Sequence, residues 1–172
     1  MVNDGKYYFV MDDKKAFFKM TGTLKYTSAI KFDTFLDNIL DNKCAFEEVL
    51  IDLSEAVFLD STNLGFLARI SEFMNEKYEK KVTIYSPKEE VNKVLESVGF
   101  DEVFVLVKNI DKQEKDLKEI SLDDKESSHS CSEMMLDSHK ALIKVCEKNA
   151  NKFCDVVNLL QEAVDKEKNI TK

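Results

Sequence analysis

The chain has 172 residues, 44% hydrophobic content and a formal net charge of −8. That length suits one well-buried domain, or one domain plus an appendage. The acidic balance argues against electrostatic capture of nucleic acid and against an anionic membrane surface as the main partner, and no apolar run reaches the roughly 18–20 residues of a membrane span.

The opening Met1-Val2-Asn3-Asp4-Gly5-Lys6 lacks the apolar core of a secretory leader, so the expected location is cytoplasmic. Cys44, Cys131, Cys146 and Cys154 form no Cys-x-x-Cys pair and are expected to be reduced, buried or incidental thiols. Arg69 is the single arginine, which leaves little scope for bidentate phosphate clamping.

Taken in order, Tyr7 to Val10 reads as a first strand, Asp12-Asp13-Lys14-Lys15 as a polar turn, and Ala16 to Met20 as its hairpin partner. Gly22 breaks the pattern. From Ser28, residues Ile30, Phe32, Phe35, Leu36, Ile39 and Leu40 recur at helical spacing up to about Asn42, with Thr27 or Ser28 as the cap. Glu47 to Leu53 is nearly continuous apolar, as in a strand covered on both faces, with Asp52 the exception.

Leu64, Phe66, Leu67, Ile70, Phe73 and Met74 mark a second helix, running to about Lys80. Val82 to Tyr85 is the next strand. Ser86-Pro87 opens a third helix with Val91, Val94, Leu95 and Val98 as its buried stripe and Gly99 as its stop. Val103 to Val107 is the fifth strand.

This order implies an α/β fold, one mixed sheet of about five strands covered by helices, over residues 1–108. Residues 109–133 read as a charged, serine-rich linker, helical in part around Lys112 to Ile120. Over 134–170 a long amphipathic helix follows, with an unbroken seam of Leu142, Cys146, Ala150, Phe153, Val157, Leu160 and Val164. That seam has three uses open to it: packing on its own domain, self-association, or docking on another protein.

The sequence carries no glycine-rich phosphate loop, no Gly-x-Ser-x-Gly elbow and no His-Glu-x-x-His. A Ser–His pair with an orienting group is not visible, and His129, Cys131, Glu133 and His139 match no structural zinc spacing. The expectation is therefore no catalytic activity, no cofactor and no metal.

The informative stretch runs from Val49 to Leu67. Leu50-Ile51-Asp52-Leu53 ends one apolar run, Val57-Phe58-Leu59 forms a second, and Asp60-Ser61-Thr62-Asn63-Leu64-Gly65 leads into the second helix. A hydroxyl pair, Ser61 and Thr62, thus falls at a helix start, where free N–H groups and the helix dipole favour an anion. Helix capping alone accounts for such residues. A phosphate there also gains local hydrogen bonds while adding about −1.5 to −2 charge at an exposed edge.

From about Lys6 to Lys108 the chain resembles a STAS domain, the fold of bacterial anti-sigma factor antagonists. The resemblance rests on the element order, on Leu50-Ile51-Asp52-Leu53 followed by Phe58-Leu59-Asp60-Ser61-Thr62-Asn63-Leu64-Gly65, and on Ser97-Val98-Gly99-Phe100 before the last strand. It implies that Ser61 is phosphorylated by an anti-sigma factor that is also a serine kinase, that the unphosphorylated form binds that kinase, and that a serine phosphatase resets it. It also implies a partner-binding surface at Asp60, Ser61, Thr62, Asn63, Leu64 and Gly65, with Lys25 at the neighbouring edge.

Two positions depart from the family pattern. Asn63 stands where glycine is usual, and asparagine tolerates unusual backbone angles. Lys25 follows Gly22-Thr23-Leu24 where an acid is frequent. Two other uses of the fold stay open: a STAS subunit of a lipid-transport or other ATPase complex, and a nucleotide or small-ligand sensor.

Overall fold

The computed structural model describes residues 3–41, 45–111, 115–121 and 129–172. Strands β1 (Lys6–Asp12) and β2 (Lys15–Leu24) form the opening hairpin, in antiparallel register from Lys6↔Thr21 to Asp12↔Lys15. Helix α1 (Tyr26–Leu40), β3 (Glu48–Asp52), β4 (Ala56–Leu59), α2 (Ser61–Tyr78), β5 (Thr83–Tyr85), α3 (Glu89–Ser97), α4 (Phe100–Val103) and β6 (Val105–Val107) follow. Then come β7 (Lys118–Glu119), α5 (Cys131–Val145) and α6 (Asn149–Ile170). The sheet runs β6-β5-β3-β2-β1-β7, with β4 on β2. The fold is the expected mixed α/β sheet, and among the described residues it has seven strands rather than about five. The additions are β4 and β7.

β2 extends past Met20 because its alternation continues: Ala16, Phe18, Met20 and Leu24 are all buried. Gly22 does not end the strand. It sits at φ 76°, at a register shift where β2 leaves β3 and takes up β4 through Thr23↔Phe58 and Leu24↔Leu59. A side chain there would meet the Asp4 carbonyl oxygen at 2.7 Å. This switch sets the end of β2 beside β4, so the starts of α1 and α2, which follow those two strands, lie together.

Several expected boundaries are corrected. Helix α1 starts at Tyr26 with Lys25 as its N-cap, not Thr27 or Ser28, and its expected end at Asn42 lies outside the described residues. Helix α3 starts at Glu89 after Lys88, and Ser86 is buried at the end of β5, its N–H donating to the Val107 carbonyl. Val94 is exposed. The final parallel strand is shorter than expected because Phe100 to Val103 make a helical turn that buries Phe100 against Phe104. The helix expected near Lys112 to Ile120 gives way to β7 at Lys118–Glu119, which pairs antiparallel with β1. Lys112 itself lies outside the described residues.

The single C-terminal helix is in fact a helical hairpin. Cys146 is extended, and the chain breaks between α5 and α6 without glycine or proline. The Asn149 side chain explains the break: its amide donates to the Leu142 carbonyl at the end of α5 and to Val98 on the main domain. Phe153, Val157, Leu160 and Val164 of the seam are buried or half-buried. Met134, Ala141 and Leu142 of α5 join the same apolar core as Phe18, Phe32, Leu64 and Leu67. Cys131 and Cys154 are exposed free thiols and Cys146 is half-buried, while Cys44 lies outside the described residues.

Candidate functional site

Asp60 organises the site. It is the N-cap of α2, and its Oδ1 accepts from the Asn63 backbone N–H at 3.0 Å and from the Asn63 side-chain amide at 2.8 Å. Its Oδ2 accepts from the Tyr26 N–H at 2.6 Å. One carboxylate therefore satisfies free donors at the starts of both α1 and α2, where both helix dipoles favour negative charge. Lys25, the residue before Tyr26, is exposed beside it.

Asn63 is fully buried in right-handed helix, not at an unusual backbone angle. Its side chain is a relay. The Tyr7 hydroxyl donates to Asn63 Oδ1 at 2.6 Å while the Asn63 amide donates to Asp60. Burial pushes the Tyr7 hydroxyl far above the ordinary phenol range, and the Asp60 charge adds to this against the opposing hydrogen bonds of Ser28 and Asn63. Tyr7 thus stays a donor, and β1 is tied to the head of α2. Glycine could not make this connection, which accounts for asparagine at the position.

Ser61 is half-buried, the first residue of α2. The structure brings His139 of α5 to it: Ser61 Oγ and His139 Nε2 are 2.8 Å apart. His139 Nδ1 lies 2.5 Å from the Met135 carbonyl oxygen. A carbonyl only accepts, so Nδ1 carries hydrogen, and in the neutral ring Nε2 accepts from the Ser61 hydroxyl. The sequence expectation of no Ser–His pair is corrected here. The two positions lie 78 apart in the chain, which gives no local signal.

The pair has the outline of a nucleophile and an oriented base. Its orienting group is a helix carbonyl rather than a carboxylate. The ring is buried under Phe153 of α6, with centroids 5.6 Å apart. A large groove lies elsewhere, along Phe17, Lys19, Leu50, Asp52 and Thr83 of the sheet. This geometry holds a hydroxyl in place.

Of the other expected partner-facing residues, Thr62, Asn63, Leu64 and Gly65 are buried. At Gly65 α2 and α5 come close together, for a side chain there would lie 2.6 Å from the Ser138 carbonyl carbon. Ser138 Oγ is itself buried with no hydrogen-bond partner among the described residues, an arrangement that costs about 1–3 kcal/mol. As the chain stands, Asp60, Ser61 and Lys25 remain within reach of solvent. Apolar Val57, Phe58 and Tyr26 are exposed beside them, at 65%, 48% and 42%.

A second cluster pins the start of α5. Arg69 of α2 donates to Asp33 at 2.7 Å and to Asp37, both on α1. His129 Nδ1 lies 3.3 Å from Asp33 and 3.0 Å from Asp37. Asp33, His129 and Asp37 lie close enough together to share a cation, but the Arg69 guanidinium already occupies the two carboxylates. Burial raises the Asp33 carboxyl, with Arg69 opposing and Asp37 adding to the effect. The four residues considered in sequence as metal ligands are divided: His129 goes to this cluster and His139 to Ser61, Glu133 closes the capping box with Ser130 at the start of α5, and Cys131 is exposed as the first residue of that helix. At the other end of α5, Lys144 pairs with Glu72 and Glu76 of α2.

The family model for the STAS domain matches residues 10–117. Among solved structures, the chain is similar to the anti-sigma factor antagonist SpoIIAA in its unphosphorylated form, with 13% identity, a TM-score of 0.51, and coverage of 59% of this chain and 87% of that one. It also matches the phosphorylated form of SpoIIAA, described as a Bacillus cell fate determinant, at 12% identity, TM-score 0.48, and 59% and 90% coverage. The protein TM1081, determined by NMR, matches at 20% identity, TM-score 0.49, and 58% and 78% coverage. No curated protein sequence matches the chain. No helix among the described residues is long and apolar enough to cross a membrane.

Proposed function

The chain belongs to the STAS domain family, and from that premise we propose that it is a non-enzymatic regulatory binding module, an anti-sigma factor antagonist switched by phosphorylation of Ser61. The observation that carries this reading is the placement of Ser61. It follows a carboxylate that fixes two helix starts, it opens α2, and its hydroxyl is half-buried at the edge where Lys25, Tyr26, Val57 and Phe58 are exposed. A related fold belongs to a protein described as an anti-sigma factor antagonist with phosphorylated and unphosphorylated forms.

In this reading the unphosphorylated protein binds an anti-sigma factor that is a serine kinase. Phosphoryl transfer forms a bond from Ser61 Oγ to the terminal phosphorus of a nucleoside triphosphate and breaks the bond to the bridging oxygen. The diphosphate leaves and the serine proton is released. The added charge, about −1.5 to −2, sits beside Asp60 and repels an acidic partner surface. A serine phosphatase restores the hydroxyl.

The test is affinity capture of partners by the full chain, followed by intact-mass analysis after incubation with the captured kinase and nucleoside triphosphate. One phosphate on the wild type, none on Ser61→Ala, and weakened capture by Ser61→Asp are expected. Phosphate on another residue, or capture indifferent to Ser61→Asp, overturns the proposal.

A further inference from the structure

We infer that the chain's own α5 is an intramolecular cover for Ser61, so that docked α5 and phosphorylated Ser61 are mutually exclusive states. The inference rests on Ser61 being the modified residue, and it concerns how that modification is regulated. The family match ends at residue 117, so α5 and α6 lie beyond it.

Three observations converge. The first is the hydrogen bond itself: the Ser61 hydroxyl is engaged by His139 Nε2, and His139 cannot retreat, being held by the Met135 carbonyl behind it and Phe153 above it. A phosphoryl group on Oγ has no room along that line. Gly65, one turn further along α2, is likewise buried against Ser138 of α5.

The second is the character of the α2–α5 contact. A permanent core is apolar and has its polar groups paired. This contact buries His139 and Ser138, leaves Ser138 Oγ without a partner among the described residues, and relies on a glycine for close approach. Its flanks are ion pairs, His129 with Asp33 and Asp37, and Lys144 with Glu72 and Glu76. Beside the apolar Met134, Ala141 and Leu142 that α5 adds to the core, these polar and imperfectly satisfied contacts give the mixed character of interfaces that separate.

The third is that α5 and α6 are bonded to each other independently of α2. Ser130 and Ser132 donate to Glu167, Lys140 donates to Gln161, and Lys168 pairs with Glu133. The hairpin retains these bonds when α5 leaves α2. Docking and phosphorylation then oppose each other reciprocally, since two events that exclude one another shift each other's equilibrium by the same factor.

Hydrogen–deuterium exchange of the full chain, read by mass spectrometry on the segment 131–145, tests this without any kinase. Ser61→Asp is expected to speed exchange there about tenfold while β2, β3 and β5 keep their protection. Gly65→Ala is expected to do the same by steric displacement alone, because alanine favours the helix in which it sits.

Unchanged or increased protection of 131–145 in Ser61→Asp overturns the inference, since His139 would then be holding the charge. So does unchanged protection in Gly65→Ala. Loss of protection across the sheet in either variant also overturns it, for α5 would then belong to one cooperative core. These outcomes are separable from the phosphorylation assay. Phosphate on Ser61 with α5 unmoved defeats this inference alone, whereas mobile α5 with no phosphate on Ser61 defeats the functional reading.

Discussion

Replacing Asp60 by alanine removes one carboxylate that holds three donors, Tyr26 N–H, Asn63 N–H and the Asn63 side-chain amide. Loss of the α2 cap alone costs about 1 kcal/mol. The bond to Tyr26 is 2.6 Å long and made to a charged acceptor, a kind worth about 1.5–3 kcal/mol. Asp60 is half-buried, so water replaces part of what is lost. Together the terms give about 3 kcal/mol, or about 6–12 °C in Tm for a chain of this size.

The Asn63 relay extends the damage to Tyr7, whose hydroxyl donates to Asn63 from β1. Asp60→Asn keeps a good cap and one acceptor oxygen, so it should recover about half of the loss. Urea denaturation of the full chain, followed by helical circular dichroism, measures both variants. A loss below about 1 kcal/mol in Asp60→Ala, or equal losses in the two variants, refutes the assignment of Asp60 as the joint that sets α1 against α2.

The remaining predictions concern the clamp at the start of α5. Arg69→Met leaves Asp33, 1% exposed, without its guanidinium, and is expected to cost about 3–5 kcal/mol in the same urea experiment. Arg69→Lys should recover less than half, because one ammonium cannot hold both carboxylates in a fork; full recovery refutes the bidentate role. Burial lowers the pKa of His129, but the Asp33 hydrogen bond and the charges of Asp37, Asp33 and Asp137 outweigh it and raise the value above 6.5. A raised folded-state value means that the protonated ring stabilises the docked helix. That contribution is full below the unfolded-state pKa of about 6.5 and is lost as the pH climbs through the raised value. Stability should therefore fall over this range in the wild type and fall less in His129→Gln; equal slopes refute the clamp.

The elements with strong periodicity were legible from sequence: the hairpin, the buried run at β3, and α1, α2 and α3. The Asp60-Ser61 junction was legible as a strand delivering residues to a helix start. What sequence missed was set by partners distant in the chain. Gly22 reads locally as a stop, yet its positive φ serves a strand that changes partners from β3 to β4. Asn149 reads as one more seam-flanking polar residue, yet it ends α5 by bonding Leu142 and Val98. Ser86 reads as a cap because serine before proline usually is one, and the burial of β5 overrides that preference. β7 is two residues long and exposed, too short to leave a pattern.

The site divides along the same line. Asp60 and Ser61 are adjacent, but their dependencies differ. The partners of Asp60, Tyr26 and Asn63, lie within the region the family match covers, and Asn63 ties them to Tyr7 of β1, just before it. The side-chain partner of Ser61 is His139, beyond that region. Local spacing therefore pointed to the Ser61-Thr62 pair and the family resemblance to the serine, while nothing near it in the chain pointed to the imidazole that holds it. Perturbing residue 60 reads the scaffold and perturbing residue 61 reads the cover. If the two helices were merely one core, both substitutions would lower the same cooperative transition. If α5 is a cover, Asp60→Ala weakens the whole fold while Ser61→Asp loosens 131–145 and leaves the sheet standing.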